Sequence, residues 1–286
     1  MNTLQAGFSR VNITPMLGIG MAGYQIRRHA DGVLDELEIP YYMQGGTMLG
    51  AIRHGGFIPW DEDIDLAIPR ADYNRLLPIL REELPEGYRL VYYPDATHHP
   101  RYFAQVERLD TPVCEDNFVV PFVRHMWIDL FPIDGMPKGK LARKCHLYRL
   151  LYLRVLAQLA DADECINNKG KHLKIRKTAI AMGNLWAKVF RIDPRKRLAK
   201  MEKVVQKYDA DKTGWTISLG SLYKGRTIFP TAYYGRGKEV DFAGKRWLLP
   251  EQCEEMLSSL YGDYMTPPPA DHKESHVFLA PFDLGE

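Results

Sequence analysis

Two carboxylates separated by a single residue, Asp63 and Asp65, are the clearest candidates for chemistry in this sequence. They alternate with the apolar residues Ile64 and Leu66, and the side chains of a β-strand alternate between its two faces. Both carboxylates are therefore predicted on one face of a strand, where they repel each other unless a cation lies between them. Because Mg²⁺ and Mn²⁺ prefer carboxylate oxygens as ligands, the pattern predicts a divalent metal site.

A glycine pair upstream of these carboxylates is a candidate phosphate-binding turn. The apolar run at residues 39–43 leads into Gly45-Gly46-Thr47, after which apolar residues recur at helical spacing through Ile52. We predict a strand, a tight turn and the start of a short helix. Glycines let a ligand approach the backbone closely, and free N–H groups at the start of a helix attract an anion. A glycine pair alone is most often only a turn, and an Asp-x-Asp pair alone is most often part of a solvated surface. The glycine pair followed by the Asp-x-Asp pair is the specific signal.

Asp129 is a candidate third carboxylate because it lies inside the apolar, strand-like segment 126–133. A carboxylate in such a segment is paired with a cation, protonated or bound to a metal, and the sequence leaves these three states open. The Asp63 and Asp65 pair is one argument for the metal-bound state.

The elements that must position these residues follow from periodicity. The strand that carries Asp65 ends at Pro69, and residues 70–84 read as a helix with an apolar stripe. Helices are predicted for residues 141–160, 179–190 and 198–208, and a hairpin for residues 239–249.

Taken together, these segments resemble the LicD family, which comprises phosphocholine transferases and relatives that transfer other phospho-polyols. The resemblance is carried strongly by residues 36–136, including 45–47, 50–54, 57–65 and 127–135, and more weakly by residues 215–276, including 261–268. The family belongs to the nucleotidyltransferase-fold superfamily, whose pattern is a glycine turn, a short helix, Asp-x-Asp on the next strand and a third carboxylate from a later strand. The resemblance therefore implies an α+β fold, with a nucleotidyltransferase-like mixed β-sheet core, flanking helices and a helical insertion.

The resemblance also implies a function and a set of site residues. The donor would be CDP-choline or another CDP-alcohol, and the acceptor a sugar hydroxyl of lipopolysaccharide, capsule or teichoic acid. The metal, Mg²⁺ or Mn²⁺, would be bound by Asp63, Asp65 and Asp129, with Asp129 also a candidate general base. The residues expected to bind substrate or nucleotide are Gly45, Gly46, Thr47, Arg53 and Trp60.

A choline group would favour an aromatic box around its quaternary ammonium. The aromatic residues near the motifs are Tyr41, Tyr42, Trp60, Tyr102 and Trp127. Aromatic residues at such positions are also ordinary core residues, so they support choline only weakly.

Two other functions stay open at this stage. The same fold would suit a nucleotidyltransferase that attaches a nucleotide to a small molecule or protein, or a non-catalytic glycan-binding protein. Retention of both Asp63 and Asp65 argues against the non-catalytic alternative. Nucleic acid is not expected as a partner, because the basic residues 138–207 include few of the aromatic residues that a single-strand channel needs.

Charge is distributed unevenly along the 286 residues although the net charge is only +2. Residues 138–207 hold 19 Lys and Arg against 5 Asp and Glu. We predict one LicD-like domain in four parts: an N-terminal extension (1–20), the catalytic core (21–136), a basic helical insertion (137–210) and a C-terminal part (211–286). The basic region favours a polyanionic partner, with peripheral contact with an anionic membrane as one hypothesis and a plain solvated helical face as the alternative.

Composition limits the class of protein. No stretch approaches the length of a membrane span, and the N-terminus lacks the pattern of a secretory signal. The four cysteines are widely spaced without a Cys-x-x-Cys pair, which argues against a zinc site or disulfide framework. We therefore expect a cytoplasmic location, with the inner face of the membrane as the site of any peripheral contact.

Overall fold

The computed structural model describes residues 39–61, 63–95, 101–115, 122–160, 173–190, 192–220, 224–269 and 277–279. The predicted N-terminal extension at residues 1–20 lies outside these described residues.

The centre of the fold is a mixed β-sheet of eight strands. Its strands are β1 (Tyr42–Met43), β2 (Ile64–Pro69), β3 (Tyr88–Val91), β4 (Ala104–Glu115), β5 (Phe122–Gly135), β6 (Trp215–Ile217), β7 (Ile228–Pro230) and β10 (Val277–Leu279). The order along the main path is β1-β2-β5-β4-β10, with β3 also paired to β4, β6 to β5, and β7 to β6. Strands β2 and β5 are parallel and the other pairs are antiparallel.

Seven α-helices, two short 3₁₀ helices (Lys224–Thr227 and Thr231–Tyr233) and a separate hairpin complete the described structure. The helices are α1 (Gly45–His54), α2 (Arg70–Glu83), α3 (Lys140–Ala160), α4 (Leu173–Val189), α5 (Pro194–Val205), α6 (Ala210–Thr213) and α7 (Cys253–Tyr261). The hairpin consists of β8 (Lys238–Phe242) and β9 (Lys245–Leu249). Its turn residues Ala243 and Gly244 both have positive φ, as a two-residue turn requires. None of the described helices combines the length and the apolar character needed to cross a membrane.

The sequence patterns account for most of these elements. Helix α2 buries Tyr73, Leu76, Leu77 and Leu80, whose spacing places them on one side. Strand β2 ends at Pro69, and α2 begins at the next residue. The α+β fold with a mixed sheet is confirmed.

Some predicted boundaries were wrong. Strand β5 extends well beyond the predicted segment 126–133, because its pairing with β4 continues past a bulge in β4. Helix α4 begins at Leu173 rather than at 179. Helix α5 begins at Pro194 rather than at 198, since the Asp193 carboxylate caps its start by accepting the Arg195 N–H at 2.9 Å.

Helix α5 is joined to the sheet by a buried ion-pair network. Arg70, the first residue of α2, bonds the Asp134 carboxylate of β5 at 2.6 Å and the Glu202 carboxylate of α5 at 2.6 Å. The Tyr102 hydroxyl donates to the same Asp134 carboxylate at 2.6 Å. Helices α3, α4 and α5 lie in the region predicted as a helical insertion, and the division into four parts stays a prediction.

Candidate active site

The three predicted carboxylates converge at one place on the sheet. The parallel register of β2 and β5 pairs Asp65 directly with Asp129, and Asp63 precedes Asp65 by two residues. One carboxylate oxygen from each of the three residues lies within 4.8 Å of the other two. Three hard oxygen ligands at this separation fit Mg²⁺ or Mn²⁺. The metal itself stays a prediction.

The electrostatics of Asp65 also fit a cation. Burial raises the pKa of Asp65 well above its ordinary value, and the neighbouring carboxylates of Asp129 and Asp61 raise this pKa further. A hydrogen bond from the Gly46 backbone opposes the shift only in part. Because a nearby positive charge would stabilise all of these carboxylates in their ionised form, the cluster has the character of a metal site.

The glycine pair lies against this cluster at the start of α1. Gly45 has a φ of +56°, a conformation that favours glycine, and a Cβ at this residue would clash with the Asp65 carboxylate. A Cβ at Gly46 would clash with the Asp61 carboxylate. Both glycines therefore allow acidic side chains to approach the N-terminus of α1. Their predicted contact with substrate phosphates stays a prediction.

Thr47 holds the backbone of Asp65. The Asp65 N–H donates to the Thr47 hydroxyl at 2.8 Å, and the Gln44 N–H donates to the Asp65 carbonyl at 3.0 Å. Thr47 is buried, with 3% of its surface exposed. The structure thus gives Thr47 a positioning role, and its predicted contact with nucleotide is untested.

Arg53 and Trp60 are the other two residues that were predicted to bind substrate or nucleotide. Arg53 lies in the last turn of α1, about 12 Å along the helix from Gly45. Its guanidinium donates to the Tyr264 carbonyl at 3.0 Å. This hydrogen bond joins α1 to residues 261–268, which carry part of the weaker C-terminal resemblance. Trp60 is half-buried beside His54, with ring centroids 5.9 Å apart. The structure does not bring Arg53 to the carboxylates, and the substrate-binding roles of Arg53 and Trp60 stay predictions.

Three of the aromatic residues near the motifs, Tyr42, Tyr102 and Trp127, are buried in the protein interior. The buried Tyr42 hydroxyl donates to the Gly235 carbonyl at 2.9 Å. Tyr102 is buried against Asp134, and Trp127 is buried under the Arg124 guanidinium at 3.7 Å. These three residues therefore match the alternative that the sequence left open, in which aromatic residues near the motifs are ordinary core residues.

Sequence reasoning missed a buried polar chain behind Asp129. The Gln105 amide on β4 donates to the Asp129 carboxylate. Arg124 on β5 donates to the Gln105 side-chain oxygen at 2.8 Å and to the Glu107 carboxylate at 3.0 Å. Arg124 therefore fixes the orientation of the amide, with its N–H groups directed at Asp129. The alternation of Gln105 and Glu107 around Val106 was the available signal, but only the β4–β5 register reveals their partners.

A mixed sheet whose parallel strands present three carboxylates beside a glycine-led helix defines a nucleotidyltransferase-like domain. Residues 38–138 match the family described as LicD/FKTN/FKRP, nucleotidyltransferase domain. This match confirms the resemblance to the LicD family that was found in the sequence.

Individual relatives show the same likeness over different lengths. The lipopolysaccharide cholinephosphotransferase LicD of Haemophilus influenzae is 26% identical over 254 residues, which cover 85% of this chain and 89% of the relative. An uncharacterised protein of Rickettsia typhi is 33% identical over 123 residues, covering 41% of this chain and 36% of the relative. Human ribitol 5-phosphate transferase FKRP is 51% identical over 41 residues, covering 14% of this chain and 8% of the relative.

Proposed function

We propose that this chain transfers a phospho-alcohol, with phosphocholine the first choice, from a CDP-linked donor to a sugar hydroxyl of a cell-surface glycan. The observation that carries the proposal is the convergence of Asp63, Asp65 and Asp129 beside the glycine-led helix. The name of the Haemophilus influenzae relative, whose similarity extends along most of both chains, supports phosphocholine and a lipopolysaccharide acceptor. The FKRP match supports phosphoryl transfer more generally.

In this proposal the three carboxylates hold Mg²⁺ or Mn²⁺. When bound, such an ion would neutralise charge on the donor phosphates and polarise the phosphoryl group. The Gln105 amide donates to Asp129, which stabilises the ionised carboxylate. This contact supports a ligand role for Asp129 over a role as general base, because a base must give up its ionised form when it accepts a proton.

The donor phosphates would bind near Gly45, Gly46 and Thr47, at the positively polarised start of α1. Asp65 and Asp61 already lie against this helix start. Phosphates and carboxylates repel each other, so both groups can be close to the helix start only with a cation between them. The crowding of acidic groups therefore supports metal-dependent donor binding. The cytoplasmic location stays a prediction.

The proposal is tested by incubating the purified chain with Mg²⁺, CDP-choline and a choline-free lipopolysaccharide. We expect metal-dependent release of CMP together with a phosphocholine adduct on the glycan, both measured by mass spectrometry. Asp65→Asn should abolish both products while preserving the circular dichroism spectrum. Asp241→Asn, which changes an exposed carboxylate of β8, is the matched control and should remain active.

Two outcomes would contradict the proposal. CMP release that survives Asp65→Asn would remove the carboxylate cluster from the reaction. Pyrophosphate release from a nucleoside triphosphate, with a nucleotide adduct in place of phosphocholine, would establish the nucleotidyltransferase alternative instead.

A further inference from the structure

Helix α3 exposes large apolar side chains along one side. The apolar stripe of α3 consists of Leu141, Tyr148, Tyr152 and Val155, which are 75%, 59%, 62% and 50% exposed. Their spacing of seven, four and three residues keeps them on one side of the helix. Leu150 and Leu153 are buried and lie nearly opposite, so α3 packs inward with one side and presents the apolar stripe outward.

Helix α4, which packs against α3, repeats this pattern. Met182, Leu185 and Val189 are 67%, 64% and 63% exposed, whereas Ile180 is buried. Of the ten large hydrophobic side chains exposed by the described residues, eight lie between residues 141 and 190, and the other two are Leu109 and Met265. Such a concentration of exposed apolar side chains is typical of an interaction surface.

The charged residues of α3 and α4 are all positive. Helix α3 contains five Lys and Arg and helix α4 contains four, and neither contains Asp or Glu. Arg143 and Arg154 are turned inward, since Arg143 lies 3.6 Å from the Trp215 ring centroid and Arg154 donates to the Leu219 carbonyl at 2.8 Å.

Three exposed cations remain on α3, of which Lys140 is the first residue of the helix and the other two lie beside the apolar stripe. Helical geometry places Lys144 on one flank of the stripe and Arg149 on the other. The surface therefore offers an apolar centre between positive flanks.

We propose that α3 binds the surface of an anionic lipid bilayer through its apolar stripe. The apolar side chains would enter the boundary between headgroups and acyl chains, with Lys144 and Arg149 against anionic headgroups. Tyr148 and Tyr152 suit this depth, because tyrosine is enriched where a membrane meets water.

Charge complementarity decides between a bilayer and a second copy of the chain. Two copies packed stripe to stripe would bring the cations of α3 together, whereas anionic headgroups would neutralise them. Because no described helix can cross a membrane, α3 would lie along the surface. The proposal uses none of the active-site residues, so it stands or falls independently of the proposed function.

The test is flotation of the full chain with vesicles of phosphatidylcholine alone or of phosphatidylcholine mixed with phosphatidylglycerol. We expect the chain to float with the anionic vesicles only, and to be released as salt screens the headgroup charge. The variant Lys144→Gln/Arg149→Gln should bind roughly fivefold more weakly for each cation removed. Tyr148→Ser/Tyr152→Ser should weaken binding at unchanged charge.

The matched control is Lys196→Gln/Lys200→Gln, which removes two exposed cations from α5 instead. It should bind within about twofold of the unmodified chain, because these cations belong to a different helix from the apolar stripe. Circular dichroism would check that each variant is folded.

Three results would overturn the proposal. The unmodified chain could fail to bind anionic vesicles. The α5 control could lose as much affinity as the α3 variant, which would indicate non-specific attraction. Light scattering could show a dimer in solution that Tyr148→Ser/Tyr152→Ser dissociates, which would assign the stripe to self-association.

Discussion

At the scale of single residues, the site is defined by the close approach of acidic groups. Asp65 is flanked by the carboxylates of Asp61 and Asp129, which together with burial raise its pKa. Gly45 and Gly46 leave the space that Asp65 and Asp61 occupy. The glycine pair and the acidic cluster are thus two parts of one arrangement, and changing either should affect the other.

Asp65→Asn should stabilise the metal-free protein. Folding raises the pKa of Asp65, so at neutral pH the ionised carboxylate is less favourable in the folded chain than in the unfolded chain. Asparagine has nearly the same shape and no charge, and we expect a gain of about 1 kcal/mol in the free energy of unfolding. Urea unfolding with a chelator present would measure it.

With Mg²⁺ or Mn²⁺ present, the unmodified protein should instead be more stable than Asp65→Asn. A metal that binds only the folded chain stabilises it, and the variant has lost one ligand. Asp241→Asn should follow the unmodified protein under both conditions. Equal stabilisation of Asp65→Asn and the unmodified chain by metal would contradict the ligand role of Asp65.

Gly45→Ala should weaken metal binding in addition to lowering the free energy of unfolding. Gly45 and Gly55 both have positive φ, but only Gly45 lies against a carboxylate, since a Cβ at Gly55 would meet no atom within 4 Å. Alanine in this conformation costs about 1 kcal/mol at either residue. Only Gly45→Ala should also weaken Mn²⁺ binding, because its Cβ must displace Asp65. Titration calorimetry of the two variants would separate the effects, and equal Mn²⁺ affinity would argue against the close approach.

The main residues of the site could be predicted from the sequence, but their supporting contacts could not. Alternation along β2 predicts that Asp63 and Asp65 share a face, and the apolar setting of Asp129 marks it as unusual. The Asp65–Thr47 contact depends on how α1 packs against β2, which no local pattern specifies.

At the scale of elements, the register of β4 and β5 supports the site. Gln105 pairs with Asp129 across these strands, and Glu107 pairs with Trp127. The buried chain from Arg124 through Gln105 therefore reaches Asp129 along the sheet itself. Periodicity predicts that a strand exists, but it does not specify which residues of two strands face each other.

Gln105→Met should weaken metal binding by about tenfold to a hundredfold, as loss of a partner behind a metal ligand commonly does. Methionine preserves the length of the side chain but cannot donate to Asp129. Mn²⁺ affinity measured by electron paramagnetic resonance would report the change directly. Gln206→Met is the control, because it replaces an amide after α5 that donates to Glu202 at 2.7 Å rather than to a carboxylate of the cluster. Unchanged affinity in Gln105→Met would show that Asp129 needs no support from Gln105.

At the scale of the whole molecule, Arg70 joins the sheet to the helical region. Its guanidinium bonds Asp134 on β5 and Glu202 on α5, although these residues are far apart in the chain. Burial alone would lower the pKa of Arg70, but Tyr102, Asp134 and Glu202 outweigh burial and raise it. The guanidinium is therefore charged in the folded protein, and it needs its carboxylate partners.

Asp134→Asn should destabilise the fold by about 3 kcal/mol, because it leaves the buried Arg70 charge with Glu202 as its one remaining carboxylate partner in the network. Asp134 is completely buried, with 0% of its surface exposed. Asp72→Asn breaks the more exposed pair with Arg75 and should change the free energy of unfolding by less than about 1 kcal/mol. Urea unfolding of both variants would measure the difference. Similar losses would show that the Arg70 network adds no more than a surface pair.

The parallel pairing of β2 with β5 also determines when the site is formed during folding. Helix α2 and strands β3 and β4 separate the two strands in the chain, so their pairing closes a long loop, and such closures are slow. Asp65 and Asp129 meet only at that closure, because the register of β2 and β5 is what pairs them. During synthesis, a chain that has not yet extended through β5 carries the glycine pair and two carboxylates without the third. The site is thus assembled in the same step that closes the central sheet.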